Sequence, residues 1–245
     1  MTMARRHGGP CAPISLRPTM WNTIFGTLAG LGLSALLARQ FLRALRKTKA
    51  APQNFFASAA GLLDNARIGS GPSLGSHRLT GRYREFGVQV QTVTDTLSVR
   101  KLPSLWLMVT IAEPLPVAAT LDLMMRPGAA TTFSNFDHLP EILETPSGFP
   151  LHAVLRSDVA AGPFPLERLL PHLEPFFGPR AKELLITPKG LRMVVLMAEA
   201  ERARYGVFRQ AEFGEVSLDA ALLQDILDRL LALRSAILDW SAAST

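Results

Sequence analysis

From Trp21 to Ala38 the chain carries eighteen residues without a charge, and five of the next eleven, RQFLRALRKTK, are Lys or Arg. Such a run must be buried in protein, embedded in lipid or removed from the mature chain. As a helix it reaches roughly 27 Å, against a hydrocarbon core of about 30 Å. Phe41, Leu42 and Leu45 lengthen the apolar face, while Arg39 and Arg43 can snorkel toward headgroups. The run holds three glycines. In water each would weaken a helix by about 1 kcal/mol relative to alanine. Lipid, where no water competes for the backbone, tolerates them.

A cleaved export signal fits less well, because Leu36-Leu37-Ala38 puts leucine where a small residue belongs and the denser charge follows the run. An organellar presequence fits the acid-free, Arg-containing start, but its prolines and glycines do not suit an amphipathic helix. Met20 is an alternative start. The reading that fits best is a disordered extension over 1–19, a transmembrane helix over 20–38, a basic juxtamembrane segment over 39–50 and an α+β domain over 51–245.

Orientation follows from the flanks. Arg5, Arg6 and Arg17 precede the run; Arg39, Arg43, Arg46, Lys47 and Lys49 follow it. The positive-inside tendency keeps the C-terminal side in the cytoplasm. Those five cations are the expected contacts to anionic lipid, at about 1 kcal/mol for each one near the surface. Gly26, Gly30, Ser34 and Ala38 recur every fourth residue. Small residues at that spacing make a face on which two such helices can pair into a homodimer, while the plainer reading is that glycine and alanine are common in membrane helices.

Position also disposes of the basic net charge. Eight of the 26 basic residues lie in 1–50, ahead of the first acid, Asp64. That leaves 18 basic and 20 acidic residues in 51–245, a net of −2. A domain of that sign offers no footprint for a phosphate backbone, and nucleic acid is not an expected partner. The single cysteine, Cys11, cannot form an internal disulfide.

Within the domain, 51–66 reads as a short helix and RIGSGPSLGS (67–76) as a Gly/Ser/Pro connection. RLTGRYREFGVQVQTV reads as a hairpin about a glycine-containing centre, with Val88, Val90 and Thr92 on one face and Gln89, Gln91 and Val93 on the other. SLWLMVTIA and ATLDLMMR are strands. Asp137 suits the cap of a short turn over HLPEILE. LHAVLRSD is a strand, and FPLERLLPHLEPFFG is a helix kinked at Pro171. ELLITPKGLRMVVLMAEA is a hairpin turning at Pro188-Lys189-Gly190. The final helix, from a Ser217 cap, carries Leu223, Ile226, Leu230, Leu233, Ile237 and Trp240 at three-four spacing. Helix, connection and hairpin occur twice, a hint of duplication without shared identity. The expected fold is α+β: a mixed, mainly antiparallel sheet packed against helices, including a long C-terminal one.

Chemistry is thinly signalled. Gly71-Pro72-Ser73-Leu74-Gly75 matches a nucleophile elbow, but that motif needs a strand before the serine and a helix after it, and here a loop precedes. Asp137, His138 and Glu141, with His152 and Asp158 downstream, lack a ligand spacing that fixes a metal. His172 lies on an apolar helix and reads as structural. Arg202, Arg204 and Arg209, interleaved with Tyr205 and Phe208, are diluted by Glu199, Glu201 and Glu212. No catalytic, metal or cofactor residues are assigned.

The pattern LTGRYREFGVQVQT, the Asn135-Phe136-Asp137 stretch before LHAVLRSD, and LLITPKGLR ahead of a long helix resemble those of uncharacterised bacterial membrane-anchored proteins with an α+β domain of unknown function. The resemblance covers roughly 50–240. It implies a bacterial protein with an N-terminal membrane helix ahead of the domain and supplies no site residues; together with the flank charges, the expected location is the bacterial inner membrane, single-pass, with the domain in the cytoplasm. The expected activity is non-catalytic binding of a protein or small molecule. The alternatives are a membrane-associated hydrolase using Ser73 or the Asp137/His138/Glu141 group, and an organellar accessory factor with a targeting segment.

Overall fold

Among the described residues nine strands join into one sheet. The computed structural model describes residues 28, 31–40, 54–71, 76–96, 102–128, 131–160, 163–202, 211 and 213–242. The chain divides into two units, Met1–Lys49 and Ala50–Thr245. In the first, residues 31–40 are helical and all of them are exposed. Among the described residues no helix is long and apolar enough to cross a membrane. Residues 20–27 and 29–30 of the expected span lie outside the described residues.

The second unit contains a helix α1 (54–60), strands β1 (Asp64–Ser70), β2 (His77–Tyr83), β3 (Phe86–Asp95), β4 (Ser104–Ile111), β5 (Leu121–Met125), β6 (Glu141–Leu143), β7 (Ala153–Ser157), β8 (Ala181–Thr187) and β9 (Gly190–Glu199), and a final helix α2 (Ala220–Ala242). The order across the sheet is β1-β2-β3-β4-β9-β8-β5-β7-β6. Every described pairing is antiparallel, so the sheet is not mixed. The α+β class, the large antiparallel sheet and the C-terminal helix are as the sequence indicates.

Register sorts the side chains onto two faces, because directly opposed residues point the same way and their chain neighbours the other. One row runs Leu79, Val90, Val109, Met193, Leu184, Leu123 from β2 to β5, each cross-strand paired with the next. All six are buried in the main apolar core. The helices pack on this side. α2 contributes Leu223, Ile226, Leu227, Leu230, Leu233 and Ile237, and α1 contributes Phe55, Phe56 and Ala59. Each large side chain so buried stabilises the fold by about 1.5–3 kcal/mol. The cap of α2 is Asp219 rather than Ser217: its Oδ1 accepts from the Ala221 N–H at 3.2 Å.

The two hairpins turn tightly. Tyr83 pairs with Phe86, leaving Arg84 and Glu85 as the turn, both at positive φ (46° and 75°). This primed geometry matches strand twist and is here met without glycine; the turn centre is therefore not Gly81 or Gly87. The Arg82 guanidinium donates to Glu85 O across it. Tyr83 Oη donates to Asp228 Oδ1 at 2.8 Å, and Arg84 pairs with the same carboxylate at 3.1 Å, tying the turn to α2. In the second hairpin Pro188 and Lys189 turn between the paired Thr187 and Gly190. Gly190 has φ +141°, and a Cβ there would lie 2.1 Å from Ile111 O. Only glycine fits.

Four local expectations change. Asp64–Ser70, read as the end of a helix and a connection, is the edge strand β1. The Phe136–His138 turn is a 3-10 helix whose cap position is Asn135, without a side-chain cap bond, so Asp137 is not the cap. Glu141–Leu143 is the opposite edge strand. The segment expected as one kinked helix is two 3-10 helices, Leu166–His172 and Glu174–Phe177, with Pro171 inside the first, where it supplies no backbone N–H.

Candidate functional site

One residue along from the apolar row, the same six strands present Thr80, Gln89, Thr110, Arg192, Leu185 and Asp122 to the other face. A second row there brings Val194, Glu183 and Met124 side by side. Asp122 and Glu183 are therefore diagonal neighbours on β5 and β8. Both are buried, at 1% and 0% exposure. Asp122 Oδ1 and both carboxyl oxygens of Glu183 lack a hydrogen-bond partner, as do the nearby donors Trp106 Nε1, Arg156 Nε and Arg192 Nε.

Residues 131–140 cover this pair. Phe133 and Phe136 are buried with Val93, Met124 and Val194 in a second, smaller apolar cluster, against which Trp106 and Met108 pack. The Phe133 and Trp106 rings lie 5.5 Å apart. Ser134 Oγ donates to Asp122 Oδ2 at 3.5 Å and accepts from the Phe136 N–H at 3.0 Å. From β7, Arg156 Nη1 donates to Leu139 O at 3.0 Å and Asp137 O at 3.3 Å. The Arg156 guanidinium stands 5.2 Å over the Phe136 ring. A polar latch thus holds an apolar cap.

Electrostatics follow from dryness. Burial first, then the neighbouring Glu183 charge, raises the Asp122 carboxyl far above the usual carboxylate range. Burial raises Glu183 as well, against opposing pulls from Ser134 and the Arg192 charge. Two like charges side by side in a dry, low-dielectric interior would repel strongly. At neutral pH the pair therefore retains a proton. Such a pair can hold or release a proton and can bind a donor, but it opens to water only if the cap moves.

A separate cleft of about 600 Å³ lies between α1 and the ends of β3 and β4, lined by Phe55, His77, Thr92, Thr94, Phe213 and Val216 among others. The backbone N–H of His77 donates to Thr92 Oγ1 at 2.8 Å, and burial lowers the His77 imidazole pKa. An uncharged, hydroxyl-bearing lining of this kind suits a neutral small molecule.

The sequence candidates scatter. Gly26, Gly30, Arg43, Arg46, Lys47, Lys49 and Ser73 lie outside the described residues, as do Arg204, Tyr205, Phe208 and Arg209. Ser34, Ala38 and Arg39 are exposed on the helical stretch 31–40. Asp137 and His138 are exposed on the cap, and Glu141 is half-buried on the edge strand. Among the described residues no group of three or more His, Cys, Asp or Glu side chains is placed to hold a metal ion. Asp158 Oδ1 accepts from the Thr120 N–H at 2.8 Å, and His152 sits at φ 85° in the turn before β7. His172 packs edge-on to Trp240, with its pKa lowered by burial. Sequence reasoning passed over Asp122 and Glu183. Their one signal was a lone acid inside an apolar strand, ATLDLMMR and ELLIT.

No protein-family model matches the chain, and no curated protein matches it.

Proposed function

We propose that the chain is a single-pass membrane-anchored protein whose C-terminal α+β domain is a non-catalytic binding module on the cytoplasmic side. The observation that carries the anchor is exposure. Leu31, Leu33, Leu36 and Leu37 are 68%, 62%, 58% and 58% exposed on a helical stretch. Moving four such side chains from water into an apolar medium is favourable by roughly 1.5–3 kcal/mol each. The flanking charges give the orientation, and Gly26, Gly30, Ser34 and Ala38 give the pairing face. The resemblance to bacterial membrane-anchored proteins agrees with this. The hydrolase alternative is weakened by the exposed positions of Asp137 and His138: Asp137 lines a hollow of only about 10 Å³ beside Phe136 and Lys182, and Glu141 stands on the edge strand.

The test is alkaline carbonate extraction of membranes from cells expressing the full chain. The protein is expected to stay in the pellet and to leave it only with detergent. Release into the carbonate supernatant would remove the anchor and, with it, this reading.

A further inference from the structure

We propose that residues 131–140 are a proton-held cap: it stays seated while the Asp122/Glu183 pair keeps a proton, and loss of that proton unlatches it and uncovers Trp106, Met108, Met124 and Val194. The inference goes beyond the binding-module reading and does not depend on the anchor.

The latch is Arg156. In the β5–β7 pairing it stands directly opposite Asp122, on the same face, yet its Nη1 is spent on two neutral carbonyls of the cap, Asp137 O and Leu139 O. Its Nε is buried without a partner. A protonated Asp122 competes poorly for that guanidinium. An ionised one competes strongly, because a charge-assisted bond is roughly twice as strong as a bond to a neutral acceptor. Ionisation also changes what the cap covers. Two buried carboxylates with unpartnered oxygens must find donors or water, and the smaller apolar cluster of Phe133, Phe136, Met124 and Val194 offers neither.

Other charged and titratable groups near the pair leave this balance intact. From β9, Arg192 acts on both carboxyls and favours their ionised forms. From β8, Lys182 acts on Glu183, but its Nζ donates to Met125 O and Arg126 O at 2.6 and 2.9 Å. From the cap itself come the Ser134 hydroxyl, bonded to Asp122, and the exposed side chains of Asp137 and His138. Burial of both carboxyls outweighs these pulls.

The experiment is hydrogen exchange of the full chain in detergent micelles between pH 6 and 9, corrected for the pH dependence of intrinsic exchange. Protection of 131–140 is expected to fall with rising pH, by up to about tenfold per pH unit where the pair titrates, while α2 stays protected. The isosteric double variant Asp122→Asn/Glu183→Gln is expected to hold 131–140 at one level across the range. Flat protection in the wild type, an equal fall in the double variant, or protection of 131–140 no weaker than that of α2 at every pH each overturns the proposal. Should the double variant not fold, the wild-type contrast between 131–140 and α2 decides alone.

Discussion

Leu123 and Asp122 are adjacent in the chain, equally hidden from water, and opposite in what hides them. Leu123 faces a layer built by two helices and their connections, inside a core that reaches from Phe55 to Ile237. Asp122 faces ten residues of loop, kept in place by two aromatic rings, one hydroxyl and one guanidinium. The first face is closed by many weak contacts that no single change undoes. The second is closed by a few polar ones that share a dependence on one ionisation state. A sheet closed differently on its two sides has a rigid side and an adjustable side.

The contrast can be broken most forcefully at the apolar face. Leu123→Ala is expected to cost about 2–5 kcal/mol, read as a lower urea midpoint at unchanged slope. A loss under 1 kcal/mol would mean that the helices do not seal that face. The next largest effect is on pH dependence. Asp122 and Glu183 bind protons more tightly folded than unfolded. The folded state therefore holds the extra proton, and stability falls as pH rises from the ordinary carboxyl range, about 4, toward the raised values, by at most about 1.4 kcal/mol per unit per proton. Thermal melts at pH 5 and 8 should show this decline in the wild type and a shallower one in Asp122→Asn; identical slopes would count against a proton held by the pair. The smallest effect belongs to the open part of the polar face. Gln89→Ala is expected to change stability by less than about 0.5 kcal/mol in the same denaturation assay. A larger loss would show that this half of the face is also covered.

Legibility in the sequence followed the same division. Both hairpins, β4, β5, β7 and α2 were readable because their burial against the helices leaves a periodic apolar trace. β1, with the sequence DNARIGS, left none: it is an exposed edge held by backbone pairing to β2, and pairing has no side-chain signature. β6 is three residues long. Asp122 and Glu183 were missed because alternation marks such positions as wet. They are dry only because a loop that begins nine residues further along the chain from Asp122 folds back over them, and no local pattern reports that. Pro171 was read as a kink, yet its stretch became separate 3-10 turns, since a run interrupted by two prolines cannot sustain α-helical bonding. The anchor was legible as an uncharged run with a basic flank; half of its pairing face and four of its five flanking cations lie outside the described residues.

The placement of β9 beside β4 bears on how the chain is made. The four-strand meander β1–β4 is complete by Ile111, but the strand that seals its inner edge begins only at Gly190. A ribosome needs on the order of ten seconds to cover that gap. During synthesis the nascent meander therefore carries an open β4 edge and an uncovered apolar face, and the sheet closes only with the last hairpin and α2.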